Sequence, residues 1–106
     1  MYRLAVLEGK ALEAVQELAS VLADACKGDW RIHSVYKVTG GYEVTLHFDV
    51  SEGGDVQKAL SLFQHNCSYK DEAKKILIIP RHLFVYTSEG RPTKLEAILN
   101  VYKVDM

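Results

Sequence analysis

The 106-residue chain has the length of one domain; it is 48% hydrophobic and 25% charged, with a net charge of −1. That balance is typical of a folded globular protein and excludes a disordered chain. A nearly neutral chain has no overall attraction to nucleic acid or anionic membranes. The first residues lack the apolar core of a signal peptide, and no stretch approaches the ~18 apolar residues of a membrane span. We therefore expect a single cytoplasmic α+β domain over residues 1–106. Cys26 and Cys67 are too few for a disulfide framework, so we expect both to be reduced, apolar packing residues.

The N-terminal half predicts a strand, a helix and a β-hairpin. Residues 2–7 are a short apolar run and indicate a buried strand. Apolar residues recur at three- and four-residue steps over residues 10–27, which predicts an amphipathic helix ended by Gly28 as its C′ glycine. Residues 29–50 alternate apolar and polar side chains on both sides of a double glycine, which predicts a hairpin with one buried face.

The buried face of this hairpin determines its register. A two-residue loop at Gly40-Gly41 would place the two apolar rows on opposite faces of the sheet. A three-residue loop beginning at Thr39 sets Val38 opposite Tyr42 and turns both apolar rows inward. The predicted inward row is Trp30, Ile32, Tyr36, Val38, Tyr42, Val44, Leu46 and Phe48. The predicted outward pairs are Arg31 with Asp49, His33 with His47, Val35 with Thr45, and Lys37 with Glu43.

The C-terminal half predicts a second helix over residues 55–66 and a short helical turn between residues 68 and 75. Residues 76–79 are a β-branched run that Pro80 stops, and residues 83–87 suggest another strand. After a turn at residues 88–92, a capping box formed by Thr93 and Glu96 and helical spacing of the following apolar residues predict a short C-terminal helix.

The resulting order, β-α-β-β-α-β with a helical extension, predicts a ferredoxin-like split βαβ sandwich: an antiparallel sheet with both helices on one face. This order is similar to many ferredoxin-like modules, including the dimeric α+β barrel proteins, among which are small monooxygenases. The resemblance implies one alternative function, a small dimeric enzyme or ligand binder with a deep pocket between sheet and helices. Fold-level likeness carries no site residues to this chain.

The pair His33 and His47 is the sharpest constellation in the sequence. Imidazoles on directly opposite residues could share a transition metal, but a third ligand is missing from their row, so we predict no metal site and no cofactor. Two adjacent imidazolium ions repel, so the pair could instead make an interface pH-sensitive, or simply be two solvated histidines. The outward row as a whole is our candidate protein interface: Arg31, His33, Val35, Thr45, His47 and Asp49.

A basic segment offers a nucleic-acid alternative through Lys70, Lys74, Lys75 and Arg81. Acidic residues interrupt it, and a solvated helix face explains it better. The aromatic motif of RNA-binding sheets is absent, and the strand aromatics are predicted to face inward. Nucleic acid is therefore not the expected partner.

No motif of catalysis is present: the chain lacks a phosphate-binding loop, a zinc-protease helix, a CxxC pair and a nucleophile elbow. We therefore expect a protein-binding module of the adaptor, inhibitor or immunity type rather than an enzyme. It would act through its outward sheet face, on another protein or on itself as a homodimer. The sequence does not identify the partner, the pathway or the oligomeric state.

Overall fold

The described part of the chain contains two helices and six strands. The computed structural model describes residues 3–65, 69–71 and 75–103, with side chains described outside residues 69–71. The elements are β1 (Arg3–Leu4), α1 (Gly9–Cys26), β2 (Trp30–Val38), β3 (Gly41–Asp49), α2 (Val56–His65), β4 (Tyr69–Asp71), β5 (Ile76–Ser88) and β6 (Arg91–Lys103). They form one antiparallel sheet in the order β1-β2-β3-β6-β5-β4.

This strand order shows that the predicted ferredoxin-like sandwich was wrong. A split βαβ unit sets parallel strands side by side through helical crossovers. Here every pairing among the described strands is antiparallel, and β6 lies between β3, the second strand of the β2–β3 hairpin, and β5, which precedes β6 in the chain. The chain is α+β with two helices and an antiparallel sheet, but the resemblance to dimeric α+β barrels loses its basis.

The C-terminal segment is strand β6, so the predicted C-terminal helix was wrong. Leu95, Ala97, Leu99 and Val101 alternate along β6 and are at most 1% exposed. The helical spacing came from Ile98, which is half-buried on the opposite face of the same strand. Apolar residues on both faces of a strand satisfy the helical period by coincidence.

Strand β5 is one continuous strand that spans both predicted strands, residues 76–79 and 83–87. Pro80 lies inside it, and a β-bulge between Pro80 and His82 absorbs the irregularity. Proline is tolerated there because β4 pairs with β5 only over Ile76–Ile78, which leaves Pro80 on an edge. The helical turn predicted between residues 68 and 75 is replaced in part by β4; residues 66–68 and 72–74, including Cys67, lie outside the described residues.

Helix α1 was predicted correctly, but its end differs in detail. Lys27, not Gly28, adopts the left-handed conformation at the C-cap, with φ 55° and ψ 38°. Gly28 serves a different purpose: a Cβ there would lie 2.0 Å from the backbone oxygen of Asp49. Gly28 therefore lets the end of α1 and the end of β3 approach closely.

The loop between β3 and α2 closes the C-terminal end of α1. The backbone N–H groups of Ser51 and Asp55 donate to the carbonyls of Cys26 and Ala25, at 3.1 and 2.7 Å. The Asp55 carboxylate then accepts the N–H of Lys58 at 3.0 Å, as an N-cap of α2. One short loop thus satisfies carbonyls of the first helix and begins the second.

Both helices cover one face of the sheet and leave the other face open. Helix α1 packs across the central strands, and α2 packs on α1 and β5. The core between them includes Phe48, Leu46 and Val44, each fully buried, together with the alternate residues of β6. The buried strand predicted over residues 2–7 is instead a two-residue edge strand, in which Leu4 is 79% exposed.

Candidate functional site: the open sheet face

We call the sheet surface opposite the helices the open face. Cross-strand partners share a face, so the pairs that connect His47 with Glu96 and Glu96 with Phe84 place all three residues on it. Neighbouring positions, which pair Phe48 with Leu95 and Leu95 with Val85, belong to the helix-covered face. The central residues of the open face are Arg31, His33, Tyr36, Glu43, Thr45, His47, Asp49, Phe84, Tyr86, Lys94, Glu96, Ile98, Asn100 and Tyr102.

A β-bulge at His33 changes which residues of β2 face outward. The hairpin has a two-residue Thr39-Gly40 loop that pairs Val38 with Gly41, and Gly40 has a φ of 83°. The predicted three-residue loop was therefore wrong. The bulge between Ile32 and Ser34 shifts the pairing by one residue, so Trp30 and Ile32 keep the predicted inward face while Tyr36 and Val38, beyond the bulge, change to the open face.

Val35 is the interface candidate that the structure contradicts. It pairs with Val44 and is only 6% exposed within the core, on the helix-covered face. Tyr36, predicted to face inward, lies opposite Glu43 on the open face instead. The predicted pair of Lys37 and Glu43 does not form, because Lys37 pairs with Tyr42 and its Nζ lies 5.2 Å from the Tyr42 ring centroid.

The two histidines nevertheless meet on the open face. As the bulge residue, His33 stacks on His47 with ring centroids 4.1 Å apart and an interplanar angle of 14°. His33 is exposed, while His47 is 5% exposed. Stacked rings present their faces to each other rather than directing lone pairs at a common point. Among the described residues, no group of three or more His, Cys, Asp or Glu side chains is placed to hold a metal ion.

Glu96 of β6 completes this cluster, and sequence reasoning did not find it. His47 Nε2 lies 3.0 Å from Glu96 Oε2. A carboxylate only accepts, so Nε2 carries the proton and donates it. Burial lowers the pKa of His47, as do the nearby charges of Lys94 and His33, while the bond to Glu96 and its charge act in the opposite direction. The net effect is a lowered pKa, so His47 stays neutral down to a lower pH than a free histidine does.

Arg31 and Asp49 form the outer end of the same row. Arg31 Nη1 lies 3.6 Å from Asp49 Oδ1, and both side chains are about half exposed. The pair was expected as direct cross-strand neighbours; the shifted register sets Arg31 opposite His47 instead. An exposed ion pair of this kind contributes about 0–1 kcal/mol. Thr45 is half-buried between the histidines and Glu43 on the same face.

Strand β5 adds an aromatic row to the open face. Phe84 is 46% exposed and Tyr86 48% exposed, and the ring of His82 lies 5.9 Å from that of Phe84. Sequence reasoning missed these residues because Leu83, Phe84, Val85 and Tyr86 form a continuous apolar run without alternation. Only the register with β6 assigns each of them to a face.

The basic segment does not form one patch among the described residues. Lys75 and Arg81 are both exposed, but Lys75 lies just before β5 and Arg81 in its bulge, roughly 17 Å of strand away. The side chain of Lys70 and all of Lys74 lie outside the described part of the chain.

Cys26, the cysteine that is described, is fully buried at the end of α1 and forms no disulfide. Burial raises the pKa of its thiol, which keeps it protonated and poorly nucleophilic. Cavities on the helix side are open grooves; one of about 270 Å³ lies between α2 and β5 and is lined by Phe63, Pro80 and Leu83 among others.

Comparison with protein-family models, curated proteins and solved structures gives no match. Within the described residues, neither helix has the length and apolar character needed to cross a membrane.

Proposed function

We propose that this chain is a cytoplasmic, non-enzymatic protein-binding module that recognises a partner protein through its open face. The observation that carries the proposal is the exposed aromatic row of Phe84 and Tyr86 beside the half-buried Ile98. The outward face of a solvated antiparallel sheet is ordinarily polar. Exposed aromatic side chains supply most of the energy of protein interfaces, where they are enriched.

The charges of the open face favour a protein over a nucleic acid. Across its centre, the basic residues Arg31 and Lys94 alternate with the acidic residues Glu43, Asp49 and Glu96. Phosphate recognition requires a continuous basic surface, whereas a mixed rim around apolar residues is typical of protein interfaces. Adaptor, inhibitor and immunity proteins share this mode of action, and the open face does not distinguish between them.

The histidine cluster gives this interface a polar end opposite the aromatic row. His33 is exposed above the stacked His47, so a partner that covers His33 also shields the bond between His47 and Glu96. A buried polar cluster of this kind fixes the orientation of a partner more than it adds affinity.

A photo-crosslinking residue at Thr45 tests the proposal, because Thr45 is half-buried at the centre of the open face. The matched control carries the same residue at Val21, which is 45% exposed on α1. We expect one protein to crosslink from position 45 and not from position 21. The captured protein, once purified, should bind the wild-type chain and lose at least about tenfold in affinity for Thr45→Lys, with Val21→Lys unchanged. Capture of RNA, or equal crosslinking from both positions, would refute the proposal.

A further inference from the structure

In the described part of the chain, no strand lies beside the outer edge of β5 over His82–Ser88. Strand β6 pairs with one side of this segment, and β4 pairs with the other side of β5 only over Ile76–Ile78. Among the described residues, no further strand is hydrogen-bonded to β5. The backbone N–H and C=O groups of alternate residues in this seven-residue segment, those that point away from β6, can thus pair with another strand.

The side chains on this edge do not protect it. Natural edge strands carry lysines, prolines or bulges that prevent pairing. In β5 the proline and the first bulge occur at Pro80 and Arg81, before the open segment begins, and the second irregularity, between Tyr86 and Thr87, has its extra residue, Thr93, on β6 rather than on β5. The segment itself presents Phe84, Val85 and Tyr86, which are 46%, 43% and 48% exposed and cover both faces of the strand.

The charges around the segment are self-complementary. From Ile79 to Gly90 the only Asp, Glu, Lys or Arg residues are Arg81 and Glu89, which lie four positions before and four positions after Val85. When the segment pairs antiparallel with its own copy about Val85, Arg81 in the bulge of one copy comes level with Glu89 in the turn after β5 of the second copy, and the reverse pair follows by symmetry. The same register sets Phe84 beside the second copy's Tyr86 on the open face, twice.

We propose that two copies of this chain associate by antiparallel pairing of β5 with β5, with Val85 on the two-fold axis. The pairing joins two six-stranded sheets edge to edge and makes their open faces continuous. It goes beyond the proposed function, since it uses the edge of β5 and leaves Thr45 and the histidine cluster free. An interface of one short strand per copy is small, so we expect a dissociation constant on the order of micromolar.

Sedimentation velocity from about 1 µM to 1 mM tests the association. The wild-type chain should shift from monomer to dimer across this range. Val85→Lys sets two ammonium groups opposite each other on the axis and should remain monomeric. Val21→Lys, which alters an equally exposed valine on α1, should dimerise like the wild type. A wild-type chain that stays monomeric to 1 mM, or a dimer that survives Val85→Lys, would overturn the proposal.

A charge exchange tests the register independently of folding. Arg81→Glu alone, or Glu89→Arg alone, places like charges opposite each other twice and should weaken the dimer roughly tenfold. The double variant R81E/E89R restores both pairs and should recover the wild-type dissociation constant. Additive weakening in the double variant would show that Arg81 and Glu89 do not face each other. Thr45→Lys should leave dimerisation intact, so the two proposals can fail separately.

Discussion

His47 of β3 and Glu96 of β6 are joined by a 3.0 Å hydrogen bond on the open face, with the His47 side chain 7% and the Glu96 side chain 24% exposed. The histidine is thus buried on the sheet face opposite the two described helices. Its neighbours are His33 stacked on one side, Glu96 on the other, Lys94 two residues before Glu96 on β6, and Arg31 opposite on β2.

Stability should fall as the pH is lowered through the range below 6.5, because burial lowers the pKa of His47 from that ordinary value. The folded state then binds the proton less readily than the unfolded chain. The contribution is complete above pH 6.5 and is lost as the pH falls toward the lowered folded pKa. Urea unfolding from pH 8 to pH 5 should show this slope, and His47→Gln should reduce it. If the unfolding free energy of His47→Gln fell with pH as steeply as that of the wild type, a group other than His47 would cause the pH dependence.

Glu96→Gln should lower the pKa of His47 further. Glu96 is the group that raises this pKa, through its hydrogen bond and its charge, while burial, Lys94 and His33 act to lower it. Titration of the His47 ring by NMR measures the shift directly. Glu43→Gln removes a carboxylate from the same strand and face without touching His47, so it should leave the ring titration nearly unchanged. A rise of the His47 pKa in Glu96→Gln would contradict the assigned contact.

Val35→Asn should destabilise the fold far more than Ser34→Asn, although the residues are adjacent. Val35 is 6% exposed in the core, whereas Ser34 is half-buried on the outer side of the bulge. Burying an unsatisfied amide in place of a valine should cost about 3 kcal/mol, and the Ser34 change less than about 1 kcal/mol. Urea denaturation measures both. A larger loss of stability in Ser34→Asn than in Val35→Asn would contradict the bulge and support the predicted register without one.

The parts of the fold with a single clear period were predictable, and those with two were not. One dominant apolar period runs through each of three elements, which are helix α1, helix α2 and the β2–β3 hairpin. All three lie near their predicted bounds. Strand β6 carries apolar residues on both faces, so Leu95, Ile98 and Leu99 fit a helix as well as a strand. Pairing with β3 and β5, which no local pattern reveals, selects the strand.

The candidate site was predictable where contacts survive a change of register. His33 and His47 meet, and Arg31 reaches Asp49, because neighbouring side chains on a twisted sheet touch diagonally as well as directly. The prediction that Val35 faces outward was wrong because a single bulge residue exchanges the two faces of the strand beyond it. A two-residue loop is excluded only when the ladder between β2 and β3 is uninterrupted, and sequence periodicity alone does not locate an interruption.

Lys27→Gly should stabilise the protein, while Lys10→Gly should destabilise it. Lys27 holds a left-handed conformation that a side chain disfavours and glycine adopts freely, so the gain should be up to about 1 kcal/mol. Lys10 lies in the first turn of α1, where glycine costs about 0.5–1 kcal/mol. Thermal unfolding of the two variants should move the midpoint in opposite directions. A shift of the same sign in both would mean that the Lys27 side chain makes compensating contacts.

Gly28→Ala should destabilise the protein strongly, because Gly28 lies where the end of α1 contacts the end of β3. The reason is lack of space rather than backbone conformation. The added methyl carbon would lie 2.0 Å from the Asp49 oxygen and 2.7 Å from its carbonyl carbon, so β3 or α1 must move. Gly9 is the matched control: its φ of 58° makes alanine strained, but nothing lies within 4 Å of the new Cβ. We expect Gly9→Ala to cost about 1 kcal/mol and Gly28→Ala about 3 kcal/mol in urea unfolding.

Amide hydrogen exchange would distinguish the two variants further. The bond from the Asp49 N–H to the Asp29 carbonyl, 2.9 Å long, should lose protection in Gly28→Ala and keep it in Gly9→Ala. Equal costs and equal protection would mean that the α1–β3 junction yields without strain, and that the close approach at Gly28 is not what holds the end of the helix against the sheet.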